Sequence, residues 1–294
     1  MINKIVKLFL FSLVVLLLSF FILPVKTFAF SISPIRSEVV LDQGSSFDLK
    51  LKIINDEDET LNFKLGVIGV KQDEAGRPIF LENIDDAESW IRPNLEQITL
   101  FPGDSEELIF NINVPTDIYP RLHYLGLKVD SLSESDGEIG ITGSLVSLLA
   151  LQVAGEATEE LKIVTWGASE YITWNKNWNF DLSLKNVGNV KMPLAGKLSI
   201  FSPSGEVIYN KDLYLGNEIL PDTIRIFKED VNLINLNKIG FYKTRIDIQF
   251  GQTRQMSSYD YHVFFVPVWL VSLLSFVLAI LMIFLFFIFS RKKK

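Results

Sequence analysis

Residues 48–67 read DLKLKIINDEDETLNFKLGV and contain two stretches in which apolar and polar residues alternate. Every odd position is apolar from Phe47 to Ile53, and the same is true from Leu61 to Val67. Side chains two residues apart in a β-strand lie on the same face, so each stretch predicts a strand with one buried face. The six polar residues between them, 55–60, predict the turn of a hairpin.

The turn at residues 55–60 contains four consecutive acidic residues, which raises the possibility of a calcium site. A calcium loop needs oxygen ligands at fixed spacing, a glycine at the sharp bend and a distal bidentate glutamate. Residues 55–60 have no glycine, and no such glutamate follows. We therefore interpret the turn as a solvated tip whose charges also protect the hairpin against edge pairing. No metal and no cofactor is predicted.

The N-terminus has the pattern of a secretory signal peptide. Lys4 and Lys7 precede an apolar run over residues 8–23, and Thr27-Phe28-Ala29 places small residues at the positions that a signal peptidase reads. Cleavage is predicted after Ala29. An uncleaved anchor is the alternative, although the apolar run is short for a membrane span.

The C-terminus contains a longer apolar run, the 24 uncharged residues from Val266 to Phe289. As a helix it would extend about 36 Å, enough for a bilayer core of about 30 Å. Trp269 is predicted to lie at the membrane interface. A basic tail follows the run: Arg291, Lys292, Lys293 and Lys294. Because basic residues beside a span are retained in the cytoplasm, we predict a single-pass type I protein of the plasma membrane whose body is extracytoplasmic.

The composition of the body agrees with export to a cell surface. The two end segments contain seven of the 28 Lys and Arg and none of the 35 Asp and Glu, so the body has 21 basic and 35 acidic side chains, a net charge of −14. Such a surface disfavours nucleic acid and anionic lipid headgroups as partners. The sequence has no cysteine and no Asn-x-Ser/Thr site. Together these features favour a bacterial surface protein.

The body is long enough for two small β-domains, and short alternating runs with turn signals recur along it. We predict an all-β fold, two tandem immunoglobulin-like β-sandwiches followed by one transmembrane helix. The predicted strands include Ile32–Leu41, Leu122–Val129 and Leu145–Val153. The last is a nearly continuous apolar run, whose two faces should both be covered. The segment from Tyr259 to Val266 is predicted to form a short stalk above the membrane. The predicted boundaries are 1–29 (signal peptide), 30–155, 156–263, 264–290 (helix) and 291–294 (tail).

The two halves of the body look like a diverged repeat. LKIINDEDETLNFKLGV (51–67) corresponds to LSLKNVGNVKMPLAGKLSI (182–200), in each case a strand that ends in Asn, a turn and a second strand. LFPGDSEELIFNINVP (100–115) corresponds to ILPDTIRIFKEDVNL (219–233). Pro102 precedes Tyr124 by 22 residues and Pro221 precedes Tyr242 by 21. These matches predict a gene duplication.

Catalytic patterns are scarce. The only histidines are His123 and His262, and there is no cysteine. No Gly-x-Ser-x-Gly elbow or His-Glu-x-x-His motif and no glycine-rich phosphate loop is present. Paired carboxylates are too numerous to exclude a glycosidase by counting. We predict that the protein is not an enzyme, and a convergence of His123 with a serine and a carboxylate would contradict this.

An aromatic cluster, TWGASEYITWNKNWNF (165–180), lies at the start of the second half. Trp178 has the same parity as Phe180 and is predicted to lie in the core, and Trp166 is predicted to be packed. Tyr171 and Trp174 are the residues predicted to be exposed. Exposed aromatic faces can stack on sugar rings, so these two are weak candidates for ligand binding.

The order of several segments resembles the WxL-interacting protein family of Gram-positive bacteria. The segments are FSISPI, LKIINDEDETLNFKLGVIGVKQDEAGRPIF, SWIRPNLEQITLFPGDSEELIFNINVP and GSLVSLLALQVAG. The resemblance implies a first immunoglobulin-like domain that binds cell-wall peptidoglycan or a wall-associated protein. It also implies a second domain that binds a protein partner, then one membrane helix with a basic tail. The alternative function is a structural or chaperone-like surface subunit that binds partner proteins by strand complementation.

Overall fold

The computed structural model describes residues 30–135, 138–216, 218–234 and 236–291. The predicted signal peptide with its cleavage at Ala29, and the basic residues Lys292, Lys293 and Lys294, lie outside the described residues. Within them, the predicted fold class is confirmed: two immunoglobulin-like β-sandwiches are followed by one apolar helix.

The first domain forms two packed sheets. Its strands are β1 (Phe30–Ser33), β2 (Arg36–Leu41), β3 (Ser46–Asn55), β4 (Leu61–Gln72), β5 (Pro78–Leu81), β6 (Ile91–Pro93), β7 (Gln97–Leu100), β8 (Ser105–Asn113), β9 (Leu122–Ser135) and β10 (Glu138–Val153). One sheet has the order β1-β3-β8-β6 and the other β2-β10-β9-β4-β5, with β7 also paired to β4. A 3-10 helix, Asp86–Trp90, precedes β6. The buried side chains between the sheets include Leu51, Ile53, Phe63 and Phe110.

The second domain repeats this plan. Its strands are β11 (Leu161–Ala168), β12 (Ile172–Thr173), β13 (Asn177–Asn186), β14 (Met192–Phe201), β15 (Val207–Leu213), β16 (Glu218–Ile219), β17 (Ile224–Asn232), β18 (Gly240–Phe250) and β19 (Gln255–Phe265). One sheet has the order β11-β13-β17 and the other β12-β19-β18-β14-β15, with β16 paired to β14. Trp178, Phe180, Leu182 and Leu184 lie in its core, as their shared parity predicts.

In both domains the first strand is divided between the two sheets. β1 pairs with β3, whereas β2 runs parallel to the last strand, β10. β11 pairs with β13, and β12 runs parallel to β19. In the first domain the chain crosses between the sheets at Pro34, after a cis peptide bond. The predicted single strand Ile32–Leu41 is therefore two strands in two sheets.

A buried asparagine organises the same turn in each domain. The Nδ2 of Asn55 donates to the carbonyl oxygens of Glu59 (2.8 Å) and Leu100 (3.0 Å), and its Oδ1 accepts from the Glu57 amide (3.0 Å). The side chain of Asn55 is inaccessible to solvent. The prediction that it belongs to the solvated tip was therefore wrong, because its amide satisfies backbone groups that the turn would otherwise leave unpaired.

The second domain makes the same bonds at the corresponding positions. The Nδ2 of Asn186 donates to the carbonyl oxygens of Val190 (2.8 Å) and Ile219 (3.0 Å), and its Oδ1 accepts from the Gly188 amide (2.9 Å). Asn186 is also fully buried. The equivalence of the two Asn turns supports the predicted duplication.

The proposed correspondence of Tyr124 with Tyr242 does not extend to their side chains. Tyr242 lies in the second core and its hydroxyl donates to the carbonyl oxygen of Lys238 (2.8 Å). Tyr124 instead packs on a small cluster of Leu122, Ala150 and Leu220 between the domains. The Pro-to-Tyr spacing is 22 residues in the first domain and 21 in the second. Because adjacent residues of a strand face opposite sides of the sheet, this difference of one residue places the two tyrosine side chains on different faces.

The predicted start of the membrane helix and the predicted stalk also differ from the structure. β19 continues to Phe265, whose side chain is buried in the second core. The helix, α1, spans Val268–Arg291 and is long and apolar enough to cross a membrane. The residues between Tyr259 and Phe265 are thus part of the sandwich, and Val266 and Pro267 connect it to the helix.

Candidate functional site

A cleft of about 810 Å³ lies between the two domains. It is lined by the end of β4, by Asp85, by residues 220–224, and by Arg121, Leu122 and Tyr124. Several of its charges are already paired, since Asp73 binds Arg77 (2.7 Å) and Asp222 lies 3.8 Å from Arg121. Several of the charged side chains that face the cleft therefore form ion pairs within the protein.

Asp85, which lines the cleft, forms a pair with the buried His123 behind it. The Nδ1 of His123 lies 2.7 Å from the Oδ1 of Asp85, and the imidazole packs edge-on against Trp90 at a centroid distance of 4.7 Å. Asp85 also caps the 3-10 helix, accepting from the Ala87 amide (2.9 Å). Burial opposes ionisation of Asp85, but the hydrogen bonds from His123 and Ala87 and the charge of Arg121 outweigh it and hold the pKa of this carboxyl below its usual value.

This pair lacks the third member that nucleophilic catalysis needs. The Nε2 of His123 is buried and has no hydrogen-bond partner among the described residues, so no serine hydroxyl is placed to give it a proton. His123 as a whole is only 3% exposed. The arrangement links the 3-10 helix to β9, and the absence of enzymatic activity stays a prediction.

The opposite side of the junction holds a buried arginine. Arg225 donates from Nη1 to the carbonyl oxygen of Glu218 (3.2 Å) and lies over the ring of Phe227 at 5.5 Å. Its guanidinium contacts Gly76 of the first domain and Gly216 of the second so closely that a Cβ at either position would clash. Burial lowers the pKa of Arg225, against the effect of the Asp73 carboxylate.

Four alternating charges connect the domains beside Tyr124. Arg36 binds Glu38 (2.7 Å) and Glu218 (3.1 Å), and Lys191 binds the same two carboxylates at 2.7 and 3.3 Å. Arg36 and Glu38 belong to β2, whereas Lys191 and Glu218 belong to the second domain.

A backbone hydrogen bond also connects the domains, from the Leu122 amide to the Asn189 carbonyl oxygen (2.9 Å). The cleft therefore lies at the interface between the two domains.

One strand edge of the first domain is unpaired over a long stretch. β9 and β10 form a hairpin arm that extends well beyond the predicted strands Leu122–Val129 and Leu145–Val153. β2 covers β10 only from Leu148 to Val153. In the part of the chain that the structure describes, residues 138–147 of β10 have β9 as their only strand partner. The sequence pattern does not indicate this edge, because Gly140 and Gly143 interrupt the apolar run.

The weak ligand candidates Tyr171 and Trp174 are exposed, at 54% and 64% of their surface. They do not lie beside the interdomain cleft. Tyr171 precedes β12 and Trp174 follows it, at the end of the second domain from which α1 departs. Trp269 is in the first turn of α1 and is also exposed. A ligand-binding role for Tyr171 and Trp174 stays a prediction.

The acidic turn shows no arrangement for a metal ion. Asp56 accepts a hydrogen bond from the Ser31 hydroxyl (2.8 Å), and Asp58 and Glu59 are exposed. Among the described residues, no group of three or more His, Asp or Glu side chains is placed to hold a metal.

No protein-family model matches this sequence, and no curated protein sequence does. Several solved structures of chaperones are similar. The class 5 fimbriae chaperone CfaA is 14% identical over 82% of this chain and 100% of that one, with a TM-score of 0.44. The E. coli chaperone DraB is 13% identical over 80% and 97%, with a TM-score of 0.36. A chain of the CsuC–CsuE complex of Acinetobacter baumannii is 13% identical over 68% and 89%, at 0.38. These similarities concern the fold alone.

Proposed function

We propose that this protein is a non-enzymatic, membrane-anchored surface subunit that binds an extended segment of another protein along the open edge of β10. The observation that carries the proposal is the stretch Gly140–Val146, which is unpaired on its outer side and contains neither a charge nor a proline. Exposed edges of this kind add a strand from a partner unless the protein blocks them.

The backbone geometry of β10 suits strand addition. The Leu148 amide points away from β9, because it donates to the carbonyl oxygen of Ile35 (2.8 Å). Backbone groups alternate sides along a strand, so the amides of Val146 and Ser144 point the same way. An incoming strand would continue the ladder that β2 begins.

Other sheet edges of the first domain carry the features that prevent pairing. β5 and β6 are short and contain Pro78 and Pro93, and β2 carries Arg36 and Glu38. Prolines and charges are the usual means by which proteins block an edge. Residues 140–146 of β10 have neither, and Ile141 exposes 59% of its surface. This difference within one domain supports a protein partner at β10.

The membrane anchor and its orientation belong to the same proposal. α1 anchors the protein, the body is extracytoplasmic, and the basic tail from Arg291 to Lys294 is cytoplasmic. Binding of peptidoglycan by the first domain stays a prediction from the family resemblance. The open edge lies in the first domain, so this domain receives the protein partner.

Protease treatment of intact cells tests the orientation. Protease should remove both sandwiches and leave a membrane fragment that begins close to Val266, because β19 protects the chain as far as Phe265. Mass spectrometry of the retained fragment measures its start. Full protection of the first domain in unbroken cells would overturn the type I orientation.

A pair of substitutions at one residue tests the edge. Both substitutions remove the packing of the Val146 side chain over Gly126. Val146→Pro also removes an outward-pointing backbone amide, which Val146→Ala keeps. A photo-crosslinker on Ser144→Cys in the full chain, which has no native cysteine, first identifies the partner in cells. Val146→Pro should then weaken binding of the purified partner by roughly 3- to 10-fold relative to Val146→Ala, the cost of about one hydrogen bond. Equal affinities of the two variants would overturn strand addition.

A further inference from the structure

We infer that the end of the second domain from which α1 leaves is itself a membrane-docking surface, which rests in the headgroup layer of the bilayer. This interfacial patch consists of Tyr171, Ile172, Trp174, Phe241 and Phe264. The inference rests on the proposed function, because it requires that α1 crosses a membrane.

The connection between the sandwich and the helix leaves little distance between them. Three Cα–Cα steps of about 3.8 Å put Val268 no more than roughly 11 Å from Phe265. The connection is also bonded to the domain, since the Val266 amide donates to the carbonyl oxygen of Thr173 (2.8 Å). Trp174 directly follows Thr173. The depth of Trp174 in the membrane is therefore tied to the depth at which α1 begins.

The patch is a contiguous row across three neighbouring strands. Ile172 of β12 pairs with Phe264 of β19, and Phe264 pairs with Phe241 of β18. The rings of Phe241 and Phe264 are 4.7 Å apart, and that of Tyr171 lies 6.5 Å from Phe241. Because Phe265 faces the core, its neighbour Phe264 faces outward. Tyr171, Ile172, Trp174 and Phe241 each expose more than half of their surface.

Basic side chains lie near the patch, although the body as a whole is acidic. Lys176 and Lys238 are exposed in the loops at this end, and Lys243 lies on β18 with its ammonium 4.6 Å over the ring of Phe201. Lys176 donates to the carbonyl oxygen of Ile234 (2.8 Å), and Ile234 is itself exposed. Aromatic rings with lysines beside them match the chemistry of a phosphate headgroup layer above acyl chains.

The bilayer is favoured over a glycan because of where the patch lies. Trp and Tyr rings concentrate at the membrane interface, where one part of the ring is apolar and the other is hydrated. Trp269 in the first turn of α1 belongs to that interface by position. Trp174 and Tyr171 occupy the same end of the domain, so their exposure follows from contact with lipid.

The test uses the full chain in phosphatidylcholine–phosphatidylglycerol vesicles. Because the sequence has no cysteine, a single nitroxide label can be attached at Ile172→Cys, with Val40→Cys as the control. Val40 is 69% exposed but lies in the first domain. The label at residue 172 should be several-fold more accessible to oxygen and several-fold less accessible to a water-soluble nickel chelate than the label at residue 40. Adding Trp174→Glu and Phe241→Glu should return it to the accessibility of the control.

Alkaline carbonate extraction separates this inference from the proposed anchor. Retention of the protein in the membrane, with a label at residue 172 as accessible to nickel as that at residue 40, would overturn the docking alone. Release by carbonate would overturn the anchor and the docking together. Spin–spin broadening at residue 172 in the vesicles would put a second copy on the patch and would also overturn lipid contact.

Discussion

The two domains build the same asparagine turn and use it differently. In the first domain the turn around Asn55 is at the end remote from the second domain, and its loop is acidic and exposed. In the second domain the turn around Asn186 is covered by the first domain and the linker. Asn189 donates to the carbonyl oxygens of Pro120 (2.9 Å) and Glu156 (2.8 Å). The hydrogen bonds of the asparagine therefore fix the turn, while the loop residues decide whether it faces water or protein.

Gly188 allows the Asn186 turn to lie this close to the linker. A Cβ at Gly188 would overlap the carbonyl oxygen of Thr158 in the linker. The corresponding loop of the first domain has charged residues instead, which would have to lose their hydration in such a contact.

The largest expected effect comes from removing either asparagine. Asn55→Ala or Asn186→Ala removes the side-chain donor from one buried and one partly buried carbonyl oxygen, so each should lower the free energy of unfolding by about 2–4 kcal/mol. Thermal unfolding of the full chain, monitored by near-ultraviolet circular dichroism, measures the loss. Asn186→Ala should also expose the interdomain linker to limited proteolysis, whereas Asn55→Ala should not. Equal linker cleavage in both variants would contradict the comparison.

A smaller effect is expected at the His–Asp pair, and it depends on pH. The pKa of Asp85 is lowered in the folded state, so its contribution is fully present above the unfolded value of about 3.9 and is lost as the pH falls through the folded pKa. Asp85→Asn should therefore cost about 1–3 kcal/mol at neutral pH, and the difference from wild type should narrow below pH 4. Its exposed neighbour provides the control Asp86→Asn. A constant difference from pH 7 to pH 3 would show that ionisation of Asp85 is not involved.

Two glycines with the same backbone conformation distinguish the interdomain contact from backbone strain. Gly76 and Gly103 have φ of 83° and 78°. A Cβ would clash with the Arg225 guanidinium at Gly76 but meets nothing within 4 Å at Gly103. Gly76→Ala should cost about 1 kcal/mol more than Gly103→Ala in chemical denaturation, because only it displaces a side chain of the other domain. If the two variants lose equal stability, the Arg225 contact does not stabilise the junction.

The smallest effect is expected at the acidic turn. Replacing Asp56, Glu57, Asp58 and Glu59 by Ser should change the free energy of unfolding by less than about 1 kcal/mol, since exposed charges stabilise weakly. The melting temperature of the wild type should not respond to calcium. A rise with calcium that the substituted protein lacks would identify a metal site in the turn.

Strand alternation predicted the cores well, but it did not predict how far each sheet extends. Leu49, Leu51 and Ile53 are buried as their parity requires, yet Phe47 of the same parity is 40% exposed. Parity specifies which face a side chain takes, and the neighbouring strands decide whether that face is covered. The extension of β9 and β10 into an arm depends on their mutual pairing, which the sequence of either strand does not contain.

The His123–Asp85 pair and the end of β19 were missed for related reasons. The two residues are 38 positions apart, and the contact exists only because the 3-10 helix packs against β9. In YHVFFVPVWL the apolar character runs continuously from strand into helix. Hydropathy measures how apolar a segment is, whereas the pairing of Phe264 and Phe265 with β12 and β18 determines that they form a strand.

The short connection after β19 determines how mechanical force would pass through the protein. If a partner is bound outside the membrane as proposed, a pull on it would reach α1 through β19, since only Val266 and Pro267 separate β19 from α1. β19 is held by eleven consecutive residue pairs with β18. A load along β19 therefore shears this ladder as a whole instead of opening it one pair at a time. In the proposed orientation, the second domain would transmit force between α1 and a bound partner through a connection of only two residues.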